Sequence, residues 1–315
     1  MRALVTGVAG FVGSHLADAL LARGERVVGV DCFTDYYDPV EKRTNLATAR
    51  TRAGFELVER DLADGSLSEV LDGIDVVFHQ AAQPGVRLSW SDGFAAYVHH
   101  NVVATQRLLE AVVDARTPRV VYASSSSVYG QQPRYPTRET DLPAPHSPYG
   151  VTKLAAEQLC GAYARNFAVG VVSLRYFTVF GPRQRPDMAI HRLCEAAITG
   201  SPFRQFGDGL QNREFTYVDD IVAGNLLAAD SEVEPGTVAN LAGGGEIALR
   251  DLIALVEEVS GTAVTVEHQP AQPGDARRNG GAIDRARELF GWEPRVTLRE
   301  GIERQLAWHR ARVTR

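Results

Sequence analysis

Six short apolar runs punctuate the first half of the chain, at 3–7, 26–31, 55–61, 76–81, 119–125 and 171–177. Each is brief and nearly continuous in apolar side chains, the pattern of strands buried on both faces. Between several of them apolar residues recur at helical spacing, as in 10–23 and 94–115. This alternation predicts an α/β fold, a Rossmann-type doubly wound parallel sheet. Such sheets bind ligands at the carboxyl ends of their strands.

After about residue 177 the pattern changes. Proline, glycine and arginine cluster in 181–187, and the spacing of Ile190, Leu193, Cys194, Ala197 and Ile198 predicts a helix. Further helices are predicted at 249–260 and 298–310, and 218–230 is expected to return as a helix to the first lobe. The organisation expected is a first domain of 1–177 plus about 214–233. A smaller, mostly C-terminal α/β lobe of about 178–213 and 234–315 closes over the ligand edge.

Charge and cysteine content narrow the function. Lys plus Arg is 33 and Asp plus Glu is 39, giving a formal charge of −6. That argues against nucleic acid or an anionic membrane as the main partner. An anionic small molecule stays open, because a few local arginines outweigh the net sign. The cysteines Cys32, Cys160 and Cys194 have no C-x-x-C spacing, so neither a disulfide framework nor a structural metal is expected. A reducing, cytoplasmic compartment fits this usage. No run has transmembrane length. The N-terminal apolar residues are interrupted by glycines and read as strand-turn-helix rather than as a leader.

The first run ends in Thr6-Gly7-Val8-Ala9-Gly10-Phe11-Val12-Gly13. Glycines between a strand and a helix permit a tight turn, and the helix N-terminus then offers free N–H groups to a pyrophosphate. Gly7, Gly10, Phe11, Val12 and Gly13 are therefore candidate cofactor residues. The second run ends at Asp31, which can accept hydrogen bonds from a ribose 2′-hydroxyl and repels a 2′-phosphate, favouring NAD over NADP. Lys42 and Arg43 lie in the following segment and can blunt that preference. Asp61 and Leu62, after the third run, are placed to reach the adenine.

Tyr149 and Lys153 are four residues apart, so one helix face carries both. A nearby ammonium and a positive nicotinamide would stabilise the phenolate, making Tyr149 a base for a sugar hydroxyl. Lys153 can also hydrogen-bond the nicotinamide ribose. The fifth run leads into Ser124-Ser125-Ser126-Ser127-Val128-Tyr129-Gly130, where a serine next to the tyrosine can share the proton.

With the glycine turn, the serines and Tyr-x-x-x-Lys together, the chain resembles the extended short-chain dehydrogenase/reductase family over nearly its whole length. Within it the resemblance is to UDP-glucuronate 4-epimerases. It is carried by Asp35-Tyr36-Tyr37-Asp38, Ala81-Ala82-Gln83-Pro84-Gly85-Val86-Arg87, the serine segment, Arg175-Tyr176-Phe177-Thr178-Val179-Phe180-Gly181-Pro182, Arg185-Pro186-Asp187-Met188-Ala189 and Arg213-Glu214-Phe215-Thr216-Tyr217-Val218-Asp219-Asp220. The resemblance implies an NAD-dependent epimerase acting on a UDP-sugar. Tyr149 takes the 4-hydroxyl proton with Ser125 or Ser127 assisting. The C4 hydride is stored on NAD and returned to the other face of a 4-keto sugar.

Related dehydratases and uronate decarboxylases carry an acidic residue in the serine segment. Here there is none, which argues against dehydration and less firmly against decarboxylation. Thr178 stands where galactose-type epimerases usually have Asn, which points to a uronate. Ser126, Ser127 and Thr178 are expected to donate to the uronate carboxylate. Arg192, on the same helical flank as Arg185, and Arg87 are candidate cations. Arg213, Arg185 and Arg278 are candidates for the diphosphate, since a guanidinium fork suits phosphate. Ala81 matches a family position near the cofactor; Asn101 matches one near the cofactor or the active-site helix, and alternatively bonds to the backbone. Cys32, Gln80, Pro84 and Gly281-Ala282 depart from the family strings, the last bearing on Arg278. The rival readings are a decarboxylase, a neutral-hexose epimerase, and a non-catalytic NAD-binding regulator. Family members commonly pair through helices near 94–115 and 149–167, so the resemblance implies a homodimer.

Overall fold

A computed structural model describes residues 1–243, 245–272, 274 and 276–313. The strands are β1 (Arg2–Thr6), β2 (Arg26–Asp31), β3 (Phe55–Glu59), β4 (Val76–His79), β5 (Arg119–Ser125), β6 (Gly170–Tyr176), β7 (Thr178–Phe180), β8 (Phe203–Phe206), β9 (Asn212–Tyr217), β10 (Thr237–Leu241), β11 (Glu246–Ala248), β12 (Val266–Gln269) and β13 (Arg278–Asn279). The helices are α1 (Phe11–Ala22), α2 (Pro39–Asn45), α3 (Ser68–Leu71), α4 (Phe94–Tyr97), α5 (Ala104–Ala115), α6 (Pro148–Phe167), α7 (Ala189–Thr199), α8 (Val218–Asp230), α9 (Leu249–Ser260), α10 (Asp284–Phe290) and α11 (Leu298–Val313). All six expected strands form within a residue or two of their predicted limits. The helix expected at 94–115 is continuous but passes through a π-helical stretch, Val98–Val103, between α4 and α5.

The main sheet has seven strands in the order β10-β6-β5-β4-β1-β2-β3. Every neighbouring pair is parallel. Apolar residues cover both faces, which is why the strands read as unbroken apolar runs. One core cluster unites α1 and α8 with the sheet, and another packs α5 and α6 on the opposite face. The strand order reverses between β1 and β4, the switch point at which such sheets open a ligand crevice.

Two domain boundaries need correction. Residues 237–241 were assigned above to the second lobe, yet β10 is the seventh strand of the main sheet, in register with β6 from Thr237↔Val172 to Leu241↔Tyr176. Helix α8 is the crossover that makes this possible, returning the chain along α1, β5 and β6. A lone five-residue strand after a helix carries no mark of which sheet it joins. The smaller lobe holds a sheet of β11-β9-β13 with β7 on β9, and a β12-β8 pair, so 214–217, expected in the first domain, belongs to the smaller lobe's sheet.

Leu241 is fully buried, and its side chain lies against Gly224 of α8. Leu241→Ala is expected to cost about 2–5 kcal/mol, as truncations in a closed core do. Urea unfolding measures this, and a loss well under 1 kcal/mol would contradict the core position of β10.

Candidate active site

The glycine turn is built as its sequence suggests. Gly7 takes φ +65°, and a Cβ there would stand 2.7 Å from the Ala81 backbone. A Cβ on Gly13 would lie 2.2 Å from the Gly7 carbonyl oxygen. Gly7 lets the turn lie against the loop after β4, and Gly13 lets α1 begin directly against that turn. The N-cap of α1 is Gly10, which offers no side-chain cap, so the first-turn N–H groups are left to face the cavity. Asp31 braces the turn from β2: its carboxylate accepts from the Ala9 N–H at 3.0 Å and the Phe33 N–H at 2.8 Å. Burial pushes its carboxyl above the usual range, against the pull of those two N–H groups and of Lys42.

A cavity of about 730 Å³ runs from this turn along the carboxyl ends of the strands into the smaller lobe. Gly7, Gly10, Phe11, Val12, Gly13, Asp31, Lys42, Asp61, Leu62 and Ala81 line its first part. Lys42 donates to Thr34 O and Oγ1 at 2.6 and 2.9 Å, while Arg43 is paired with Glu59 at 2.6 and 3.0 Å and turned to solvent. Asp61 accepts from Ala63 N–H at 2.8 Å and contacts His99 at 3.0 Å. With Cys32 and His100 it forms a trio of metal-ligand type, but those contacts already occupy its carboxylate. Two observations fit a dinucleotide here: the uncapped start of α1, and the buried Tyr37 hydroxyl, which has no hydrogen-bond partner and whose residue lines the cavity.

The middle of the cavity holds Tyr149, Lys153 and the serines. Ser147 caps α6 by accepting the Gly150 N–H at 3.1 Å, and Pro148 opens the first turn. Gly150 brings that turn close to the serine segment, since a Cβ there would sit 2.5 Å from Ser127 O. Tyr149 and Ser125 are thereby hydrogen-bonded. Ser125 Oγ also accepts the Ser127 N–H at 3.1 Å, and Ser126 Oγ accepts from Asn279 Nδ2 at 3.0 Å. Burial raises the Tyr149 phenol above its ordinary value; the Ser125 hydrogen bond and the Arg185 charge oppose it. The lowering expected from sequence is thus opposed by burial, the largest effect. Burial also pulls Lys153 down to about 7.

Thr178, Arg87, Arg185, Arg192, Arg213 and Arg278 line the remaining part. Arg185 is held by Asp187 at 3.0 and 3.1 Å, and the Tyr36 hydroxyl donates to the same carboxylate at 3.2 Å. Arg185 lies in the loop before α7 rather than on the helix with Arg192, so the shared flank inferred from spacing is corrected. Arg192 stacks over Phe203 and Arg87 over Phe206, at 5.3 and 4.0 Å to the ring centroids. Arg278 is paired with Glu246 at 2.6 and 3.0 Å.

Asn101 is a second correction: it does not line the cavity. It is buried, accepts the Gln83 N–H at 2.7 Å, and donates to Gln83 O and Thr152 Oγ1 at 3.1 and 3.0 Å. It ties the loop after β4 to the active-site helix α6, which matches the expected place near that helix and the backbone-bonding alternative, not a place on the cofactor. Ser124 lines the cavity but turns its hydroxyl inward, donating to Glu157 at 2.6 Å. The sequence reading missed Asn279, Phe203 and Phe206, which sit in short strands without a motif. It also missed a linked cluster of Gln80, Tyr176 and Asn225.

Residues 3–242 match the NAD dependent epimerase/dehydratase family. The chain belongs to that family. It is 39% identical over 309 residues to the uncharacterized UDP-glucose epimerase YtcB of Bacillus subtilis, covering 98% of both chains. It is 34% identical over 315 residues to a UDP-glucuronate 4-epimerase of Thermodesulfobacterium geofontis, covering 98% of this chain and 96% of that protein. Among solved structures it superposes with a TM-score of 0.95, at 40% identity and 99% coverage of both chains, on the UDP-glucuronic acid 4-epimerase of Bacillus cereus in complex with UDP-glucuronic acid and NAD.

The Gly13 contact makes the turn testable. Gly13→Ala is expected to displace α1 and to strip the protein of retained dinucleotide, read from the absorbance released on denaturation. Full retention in the variant would refute the placement.

Proposed function

We propose that the protein is an NAD-dependent UDP-glucuronate 4-epimerase, interconverting UDP-glucuronate and UDP-galacturonate. One observation carries this reading: a single cavity joins the glycine turn and Asp31 to the Tyr149–Ser125 pair, and that pair to a group of arginines. The main-sheet domain holds NAD, and the smaller lobe, about 178–217 and 242–313, closes on the nucleotide sugar.

Gly7, Gly10, Phe11, Val12 and Gly13 would hold the pyrophosphate, Asp31 the adenosine ribose, and Asp61 and Leu62 the adenine, with Lys42 and Ala81 beside them. When bound, NAD supplies a hydride acceptor next to the sugar and a positive ring that favours the Tyr149 phenolate. Tyr149 removes the proton from the sugar 4-hydroxyl and Ser125 shares it. Lys153 directs its ammonium donors to the nicotinamide ribose. Ser126, Ser127 and Thr178 donate to the sugar carboxylate, and Arg185, Arg192 and Arg87 supply positive charge around it. A β-keto acid loses carbon dioxide when its carboxylate is free to align with the carbonyl, so these donors also protect the intermediate. Arg213 and Arg278 reach the diphosphate, Arg278 with the N–H groups that Glu246 leaves unused.

No helix among the described residues is long and apolar enough to cross a membrane, and we propose a cytoplasmic location. A homodimer through α5 and α6 is supported by Val103, Val151 and Phe167, apolar side chains exposed on or beside those helices. A UDP-glucose 4-epimerase is the second reading, favoured by the name of the Bacillus subtilis relative.

Incubation with UDP-glucuronate, followed by proton NMR without added NAD, is expected to yield UDP-galacturonate. Tyr149→Phe should slow it at least about hundredfold, the scale of a lost general base. Conversion of UDP-glucose alone would favour the second reading, and UDP-xylose or a 4-keto pentose would mean decarboxylation. A fully active Tyr149→Phe would overturn the role of Tyr149.

A further inference from the structure

Beneath Tyr149 and Lys153 lies a buried polar group that the reaction as described does not use. Glu157 follows Lys153 by one helical turn on α6 and is 3% exposed. Its carboxylate accepts from Arg175 Nη2 and Nε of β6 at 2.6 and 3.0 Å and from Ser124 Oγ of β5 at 2.6 Å. Arg175 also donates to the Tyr129 hydroxyl at 2.8 Å, which donates to Asn240 of β10 at 2.8 Å. The carboxylate thus ties α6 to the strand that ends in Ser125, and through Arg175 to the two strands beyond.

An ion pair at this depth is expensive. Removing two charges from water costs more than their attraction commonly returns, and an apolar pair of similar volume often serves stability as well. Two buried cations flank this one carboxylate, Arg175 and, a turn away, Lys153. The Lys153 ammonium lies 4.5 Å from the centroid of the Tyr122 ring. The ionisable groups facing it are Tyr122 of β5, His79 of β4, and Cys160 and Glu157 of its own helix. His79 is buried and held neutral, down to about 3, by burial and by Lys153 itself; it is bonded to Thr6 and Thr105 at 2.7 and 2.9 Å. Burial pushes Cys160 and Tyr122 upward, so both stay neutral. Glu157, ion-paired with Arg175 at 2.6 Å, is the carboxylate among them.

We propose that Glu157 is a positioning residue for the epimerase, the counter-charge that keeps the buried Lys153 an ammonium and the anchor that holds α6 against the end of β5. The proposal rests on the catalytic reading of Tyr149 and Lys153 given above. Burial draws Lys153 down to about 7; Glu157 opposes that fall, while Cys160, being neutral, adds no charge to it. Without the carboxylate Lys153 loses its proton at a lower pH, and neutral solution then holds it largely uncharged. A neutral amine neither stabilises a phenolate nor offers the same donors to a ribose.

The chain contains two lysines, Lys42 and Lys153, so uniform 13Cε-lysine labelling gives two signals, distinguished by Lys42→Arg. Glu157→Gln alone leaves Arg175 buried without a partner and is expected to fold poorly. The variant to use is Glu157→Gln with Arg175→Met, which removes both charges together. In the enzyme as isolated, the Lys153 titration midpoint is expected to fall by about one pH unit in this double variant. The alkaline limb of kcat against pH should move with it, and Glu157→Asp should keep the parent's midpoint. A folded double variant with an unchanged Lys153 midpoint would overturn the proposal, because a purely structural role lowers kcat at every pH alike. The NMR titration needs no substrate: if UDP-glucuronate is not converted, the proposed function fails while Glu157 is still judged.

Discussion

The whole site depends on how closely helix α6 approaches the end of strand β5. Gly150 permits that approach, since any side chain there would enter the space of the Ser127 carbonyl. With the helix so placed, the first turn meets Ser125 through Tyr149, and the second buries Lys153. The placement has an electrostatic consequence. Burial raises the phenol and lowers the ammonium, so each group is pushed toward its neutral form. A base made of these two residues therefore needs positive charge beside the phenol and negative charge behind the ammonium. Arg185 meets the first need, and Glu157 stands where the second arises.

The distribution of basic residues follows the same logic. Of 33 basic side chains two are lysines, and both line the cavity. Arginine stays charged in almost any setting, whereas a buried lysine titrates within reach of neutral pH. Positive surface charge in this chain is consequently carried by guanidinium groups, which do not switch, among them those of the pairs Arg43–Glu59 and Arg287–Glu293. The lysine ammonium groups are confined to the cleft. There a change of protonation alters chemistry rather than solubility.

The strands that build the cleft were legible because a parallel sheet buried on both faces leaves unbroken apolar runs. The glycine turn, Asp31 and Tyr149–Lys153 were legible because their spacing is fixed by the shape of a strand-to-helix turn and by helical pitch. What escaped were contacts that spacing does not encode. Whether 237–241 joins one sheet or another depends on where α8 delivers the chain. Asn101 turned out to bind Gln83 and Thr152 because a π-helical stretch points it inward. Among four serines in a row, Ser124 faces the interior and Ser125 the tyrosine, an alternation that follows from strand geometry. Arg185 and Arg192 look like one helical flank in sequence, but α7 begins only at Ala189.

The central claim is that hydride leaves and returns to C4 of one sugar within a closed site. UDP-glucuronate deuterated at C4 tests it most directly, turned over in ordinary water and examined by NMR. The account predicts that the UDP-galacturonate formed keeps its deuterium at C4, because the hydride never meets solvent. Replacement of that deuterium by hydrogen from water would mean the carbon is inverted by proton exchange, and the roles given to the cofactor turn and Tyr149 would be contradicted.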